Sequence, residues 1–304
     1  MKYKVLVGNG CSFTDFDEGE SWVDKLGNIG GFLKTFNISE GGSGNKYILH
    51  NSISYLEQLK KKYDSSDILF VNQWTGTARQ DVFVDEILGF NLKPIPRNPK
   101  LQEDEKPRKL GWACSGGSND LIEVTKFGRI VKFAINFLQG RKEYDTDFAN
   151  EGFELDIKSD FFQPYHGMYS NYHFNMIEYL SNILFLQYYL EQNNIDYIFF
   201  SSWDNITQHD YLGTFADLSK IPHINYLWKQ VNQENWIYFD SNVQNLEYKK
   251  FIKSKSPYGG FWQFMSEDKE RIDDWNHPTL KAHKDMGNHI HKLIKDETFS
   301  NIRL

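Results

Sequence analysis

The chain has 304 residues, 40% of them apolar, and a net charge of −7, enough apolar material for a buried core and no basic surplus to bind polyanions. No stretch approaches the roughly 18 consecutive apolar residues of a membrane span, and the opening MKYKVLVGNG enters a strand directly rather than a signal peptide. Its two cysteines, Cys11 and Cys114, exclude a disulfide framework and a multi-cysteine zinc site; the expected setting is the cytoplasm, with neither membrane nor nucleic acid as partner.

In chain order, Tyr3 to Val7 is short, rich in β-branched residues and bounded by glycine, which reads as a buried strand. Phe32 to Ile38 reads as a second strand and Asp67 to Trp74 as a third. Between them, Asn45 to Tyr63 places Ile48, Ile53, Leu56 and Leu59 at helical spacing. Strand, helix, strand is the rhythm of a parallel sheet covered by helices. It breaks after Trp74. Residues from about 76 to 171 contain the charged, proline-bearing KPIPRNPKLQEDEKPRK and irregular segments, read as an insertion or lid over one end of the sheet. The alternation resumes with a helix from Tyr172 to Gln192, strands at Asp196 to Ser201 and Trp236 to Asp240, and a closing helix from Thr279 to Lys295. The expected fold is a single α/β domain: a three-layer α/β/α, flavodoxin-like arrangement around a five-stranded parallel sheet, with a large insertion after the third strand.

Sites in such sheets lie beyond the carboxyl ends of the strands. Those ends deliver Ser12, the SEGGSGN loop with Gly42 and Asn45, the WTGTAR segment with Trp74, Thr75 and Arg79, and SSWDN with Trp203 and Asp204. Ser12 leaves its strand through a glycine-containing turn that projects a hydroxyl. A serine nucleophile needs a base within hydrogen-bond reach and a partner that orients that base. The segment DDWNHPTLKAH offers both, Asp274 and His277, just before the closing helix. Taken singly, a serine beside a glycine is most often an ordinary turn, and Asp-x-x-His most often a surface loop.

Taken together and in order, GCSFTDFDEGESWVDKL, FNISEGGSGNKYI and DDWNHPTLKAHKDMGNHIHKLI resemble the SGNH/GDSL hydrolase superfamily. Gly10-Cys11-Ser12 resembles its nucleophile turn, followed by the tryptophan of the next helix, Trp22. Asn37 and Gly42 match its asparagine and oxyanion glycine, and Asp274, His277 and Pro278 its Asp-x-x-His-Pro segment. His283 falls where many members carry a further histidine. The resemblance implies a Ser12, His277, Asp274 triad and an oxyanion site at the N–H groups of Ser12 and Gly42. The family's Gly-x-Asn-Asp motif after the third strand is replaced here by QWTGTAR. Thr75 or Asn72 are the residues placed to supply its missing donor, and Asn45, Trp74, Arg79, Trp203 and Asp204 are the candidate substrate contacts.

The resemblance thus implies an esterase that removes a small acyl group, an O-acetyl above all, from a glycan or similar polar small molecule, with no cofactor. The altered third motif favours a rival: a non-catalytic structural or carbohydrate-binding protein on the same fold, of phage or surface-polysaccharide origin. Cys11, next to Ser12, should point to the opposite side and pack in the core. His277, His283, His289 and His291 lack the i, i+4 spacing of a helical zinc pair, so no metal is expected. The GGSGN loop lacks the Gly-Lys-Ser/Thr ending of a phosphate-binding loop, and GGSND at Gly116 to Asp120 follows no strand. Trp112, Phe161, Phe162, Tyr165 and Tyr169 of the insertion either line a sugar-binding cleft or form a small core. Oligomeric state leaves no signature in the sequence.

Overall fold

The computed structural model describes residues 2–16, 19–77, 79–84, 111–115, 172–205, 221–239, 259–274, 277–296, 298–299 and 302. The chain divides into two compact units, one of Met1–Thr77 with Met176–Leu304, the other Ala78–Asn175.

The first unit is a mixed α/β structure on a four-stranded parallel sheet in the order β2-β1-β3-β6. Strand β1, Val5–Asn9, is buried at every position and lies between β2, Lys34–Asn37, and β3, Ile68–Trp74. Its unbroken apolar run suits a strand covered on both faces, where neither side needs polar residues for water. Strand β6, Asp196–Ser201, pairs with β3 from Leu69↔Asp196 to Trp74↔Ser201.

Alternation along the strands sorts the helices. Leu6, Leu69, Val71, Ile198 and Phe200 belong to one apolar cluster with Trp22, Val23 and Leu26 of α1 (Trp22–Gly30) and with Ala282, Met286, Ile290 and Ile294 of α6 (Leu280–Lys295). The neighbouring positions meet other helices. Asn9 Nδ2 donates to Ile48 O and Ser52 Oγ of α2 (Asn45–Leu59), and the Trp74 ring meets Tyr179 of α3 (Tyr172–Gln192). Helix α1 starts on a capping box in which Ser21 and Asp24 satisfy each other's backbone N–H groups. Helix α6 starts on Thr279, whose hydroxyl accepts from Ala282 N. Two shorter helices, α4 (Pro222–Trp228) and α5 (Phe261–Ser266), lie between β6 and α6 in the chain.

The segment expected as a fifth strand behaves differently. Trp236 forms one parallel bridge to Phe199, and Ile237 N donates to Phe199 O at 2.8 Å. Phe239 then gives its N–H to Gly259 O at 2.9 Å in an antiparallel bridge, so pairing with β6 does not continue through the described residues. Asp240 lies outside them, as do residues 116–120 and the aromatic residues Phe161, Phe162, Tyr165 and Tyr169.

In the second unit, β4 (Gln80–Val84) and β5 (Gly111–Ser115) form an antiparallel pair with Val82 opposite Ala113. The region expected to be irregular thus holds a strand pair, for which Val82, Phe83 and Val84 carry a short β signal, and β5 ends at Ser115, so GGSND at 116–120, expected to follow no strand, comes directly after one. Among the described residues, no helix is long and apolar enough to cross a membrane.

Candidate functional site

After β1 the chain turns tightly: Cys11 O accepts from Thr14 N at 2.8 Å and from Asp15 N at 2.9 Å, which carries Ser12 and Phe13 around the bend. Gly10 makes the bend possible. A Cβ there would lie 2.4 Å from Thr14 Oγ1 and 2.8 Å from Gln73 Oε1. Cys11 is fully buried, its thiol 3.6 Å from both Gln73 Oε1 and Ser202 Oγ. Ser12 is only partly buried as a residue, yet its Oγ is shielded from solvent and has no hydrogen-bond partner among the described residues.

The loop after β2 is tied to this turn. Asn37 Nδ2 donates to Thr14 O and to Ser21 Oγ, both at 3.2 Å, and Gly41 N donates to Asp15 Oδ2 at 2.7 Å. Gly42 follows with φ of 82°, in the left-handed region that favours glycine. Asn45, expected as a substrate contact, is buried and faces inward. Its Oδ1 accepts from Thr75 N at 2.9 Å while Nδ2 donates to Thr75 O at 3.3 Å and Gly76 O at 3.2 Å. Its carboxamide clamps the exit of β3.

Trp74, another expected substrate contact, is also fully buried, its ring edge-on to Phe199 at 5.6 Å between centroids. The apolar space between sheet and α3 claims the indole. Asn72 lies inside β3, two residues short of its end and opposite Asn9; it is fully buried, and neither end of its carboxamide has a partner among the described residues. Thr75 is buried, its hydroxyl likewise without a partner among the described residues. Trp203, after β6, is partly buried and tilted against Phe13 with centroids 4.8 Å apart, and a Cβ on Gly76 would touch its ring at 3.3 Å. Asp204 is buried. Arg79 belongs to the second unit and is partly exposed.

His277 reaches the same neighbourhood from the far end of the chain. Its ring stands edge-on to Phe13, 5.8 Å between centroids, one residue from Ser12. It is carried by a narrow loop: Ile272 and Pro278 form an antiparallel bridge, and Thr279 N donates to Arg271 O at 3.0 Å. Arg271 anchors that loop by donating to Asp285 Oδ2 and Phe264 O, each at 2.9 Å. His277 N donates to Asp273 Oδ1 at 2.7 Å, so Asp273 holds the backbone of the residue expected to act as base; Asp273 and Asp274 are both exposed on the turn. Adjacent aspartates look alike in sequence, and only the fold separates their positions. His283 is fully buried, and its Nδ1 accepts from Trp22 N at 3.2 Å.

Gln73, which carries no motif in the sequence, is a further member of this site. Its Oε1 accepts from Thr14 Oγ1 at 2.9 Å and Cys11 N at 3.4 Å; its Nε2 donates to Trp74 O at 2.9 Å and to Ser202 Oγ. The only hint was a polar residue in an otherwise apolar strand, since a carboxamide buried there must find partners.

The Phe13 ring thus meets those of Trp203 and His277, with Ser12 next to Phe13 in the chain, after the carboxyl end of β1 in a parallel sheet, the usual place for a ligand in a mixed α/β protein. No protein-family model matches the chain, and neither does any curated protein.

Proposed function

We propose that this protein is a serine hydrolase of the SGNH/GDSL type, an esterase that removes a small acyl group, such as an O-acetyl, from a glycan or similar polar molecule. The observation that carries this reading is the uncommitted Ser12 hydroxyl, held on a braced turn beside Phe13, whose ring meets that of His277. The strand order β2-β1-β3-β6, with helices meeting alternate strand positions, supports the flavodoxin-like three-layer fold; the bridge from Trp236 to Phe199 supports a fifth strand beside β6.

In the proposed reaction Ser12 Oγ bonds to the ester carbonyl carbon as His277 takes its proton. The oxyanion lies against the N–H groups of Ser12 and Gly42. Collapse breaks the bond to the alcohol oxygen, which receives the proton from His277, and water then releases the acyl group by the same route reversed. Asp274 supports the imidazolium and Asp273 keeps the His277 backbone in place. Trp203, beside Phe13, offers the substrate an aromatic surface.

A fluorophosphonate probe tests the assignment, since Ser12 Oγ would bond to phosphorus with loss of fluoride. Peptide mapping should find the adduct on Ser12, and hydrolysis of an aryl acetate should vanish in Ser12→Ala and His277→Ala. The replaced Gly-x-Asn-Asp motif favours the alternative, a non-catalytic structural or carbohydrate-binding protein on the same fold. A folded wild type that neither labels nor hydrolyses would overturn the enzyme reading and favour that alternative.

A further inference from the structure

We infer that Gln73 is a positioning residue for Ser12, acting through the residues on either side of the serine's turn; this rests on the serine-hydrolase reading above. Among the described residues Ser12 Oγ has no hydrogen bond, so its direction is set by its rotamer and by the backbone that carries it. That backbone is held at two points by one atom. Gln73 Oε1 accepts from Cys11 N at 3.4 Å, directly before Ser12, and from Thr14 Oγ1 at 2.9 Å, two residues after it.

The direction of each bond is fixed by groups that can only give or only take. Trp22 Nε1 is solely a donor and lies 3.1 Å from Thr14 Oγ1, which leaves the threonine hydrogen for Gln73. A backbone N–H at Cys11 likewise requires oxygen at the facing end of the carboxamide. At the other end, Trp74 O is solely an acceptor, bonded by Gln73 Nε2 at 2.9 Å and by Ser202 Oγ at 3.0 Å. The chain of bonds therefore runs one way, from the Trp22 indole through Thr14 to Gln73, and its members Trp22, Thr14, Gln73 and Ser202 are all fully buried. No water competes, and a carboxamide turned end for end would break bonds on both sides. Glycine at position 10 leaves the space in which Thr14 and Gln73 meet.

Gln73 touches neither substrate nor reacting atoms in this arrangement; it keeps the hydroxyl aimed. A displacement of about 1 Å at such a group can cost on the order of 10²-fold in rate. The test uses Gln73→Met, Thr14→Val and the double variant, each verified as folded by circular dichroism well below its melting temperature. Expected are falls of roughly 10-fold or more in kcat and in the rate of fluorophosphonate modification of Ser12, with KM changed less than about 3-fold. The double variant should be hardly worse than either single one, because both break the same link. Gln73→Glu supplies a readout that a merely structural role would not move: its buried carboxyl, when protonated, again offers an acceptor and a donor. The ratio of its kcat to that of the wild type should rise as pH falls from 8 to 6, burial keeping that carboxyl protonated into this range. Folded Gln73→Met and Thr14→Val proteins that label Ser12 as fast as the wild type would overturn the inference alone. A wild type that neither labels nor hydrolyses would overturn the hydrolase reading and this inference with it.

Discussion

Trp22 N donates to His283 Nδ1 at 3.2 Å, a bond between the first helix and the last across 261 residues of sequence. An imidazole that accepts at Nδ1 carries its proton on Nε2, and that atom is buried without a partner among the described residues. Burial therefore pushes the His283 pKa down from 6.5 to about 3.

Stability should consequently fall as the solution is acidified. Between pH 6.5 and about 3 the unfolded chain binds a proton at this histidine that the folded chain refuses. The contribution is complete above pH 6.5 and declines below it, by up to about 1.4 kcal/mol per pH unit. Urea titrations at pH 7, 6 and 5 should show this slope. His283→Asn, whose Oδ1 can still accept from Trp22 N, should flatten it; an unchanged slope in that variant would refute the assignment.

The carboxylates beside His277 should separate by function. Asp274→Asn is expected to lower kcat on an aryl acetate by about 10²-fold or more, through loss of support for the imidazolium. Asp273→Asn keeps an oxygen for His277 N and should cost much less. Kinetics of the two variants side by side check this, and the opposite ranking would move the orienting role to Asp273.

Gly10→Ala should disturb the serine turn directly. The new methyl would fall 2.4 Å from Thr14 Oγ1 and 2.8 Å from Gln73 Oε1, both within a fully buried network. Overpacking of this kind costs about 1–3 kcal/mol. Chemical denaturation should register the loss, and a variant as stable as the wild type would contradict the close approach.

Asn45→Ala should destabilise by about 1–3 kcal/mol, because it leaves the buried Thr75 N–H without its acceptor and removes both donations to the carbonyls of Thr75 and Gly76. If Asn45 served substrate alone, KM would rise in the variant with no change in the denaturation midpoint.

Local pattern made several elements legible. Short apolar runs placed β1, β3 and β6 within a residue or two, and the closing helix expected from Thr279 to Lys295 matches α6 within a residue. Ser12, Trp203 and His277 were also readable as residues at loop and strand ends. What no local pattern contains is the partner of a side chain. Asn45 and Trp74 stand at a strand exit where a substrate contact was expected, but one clamps backbone 30 residues away and the other fills space against α3. Gln73 braces the Ser12 turn through bonds spanning 59 and 62 residues, and Phe239 leaves β6 because Gly259 takes its N–H. Burial periodicity is a property of neighbours along the chain, so the sequence by itself determined β1, β2, β3, β6, the long helices α2, α3 and α6, and the end of the sheet where polar groups collect. Hydrogen bonds and ring contacts are made between segments far apart in the chain, so only the tertiary structure decided which of those groups are spent inside the protein and which stay uncommitted.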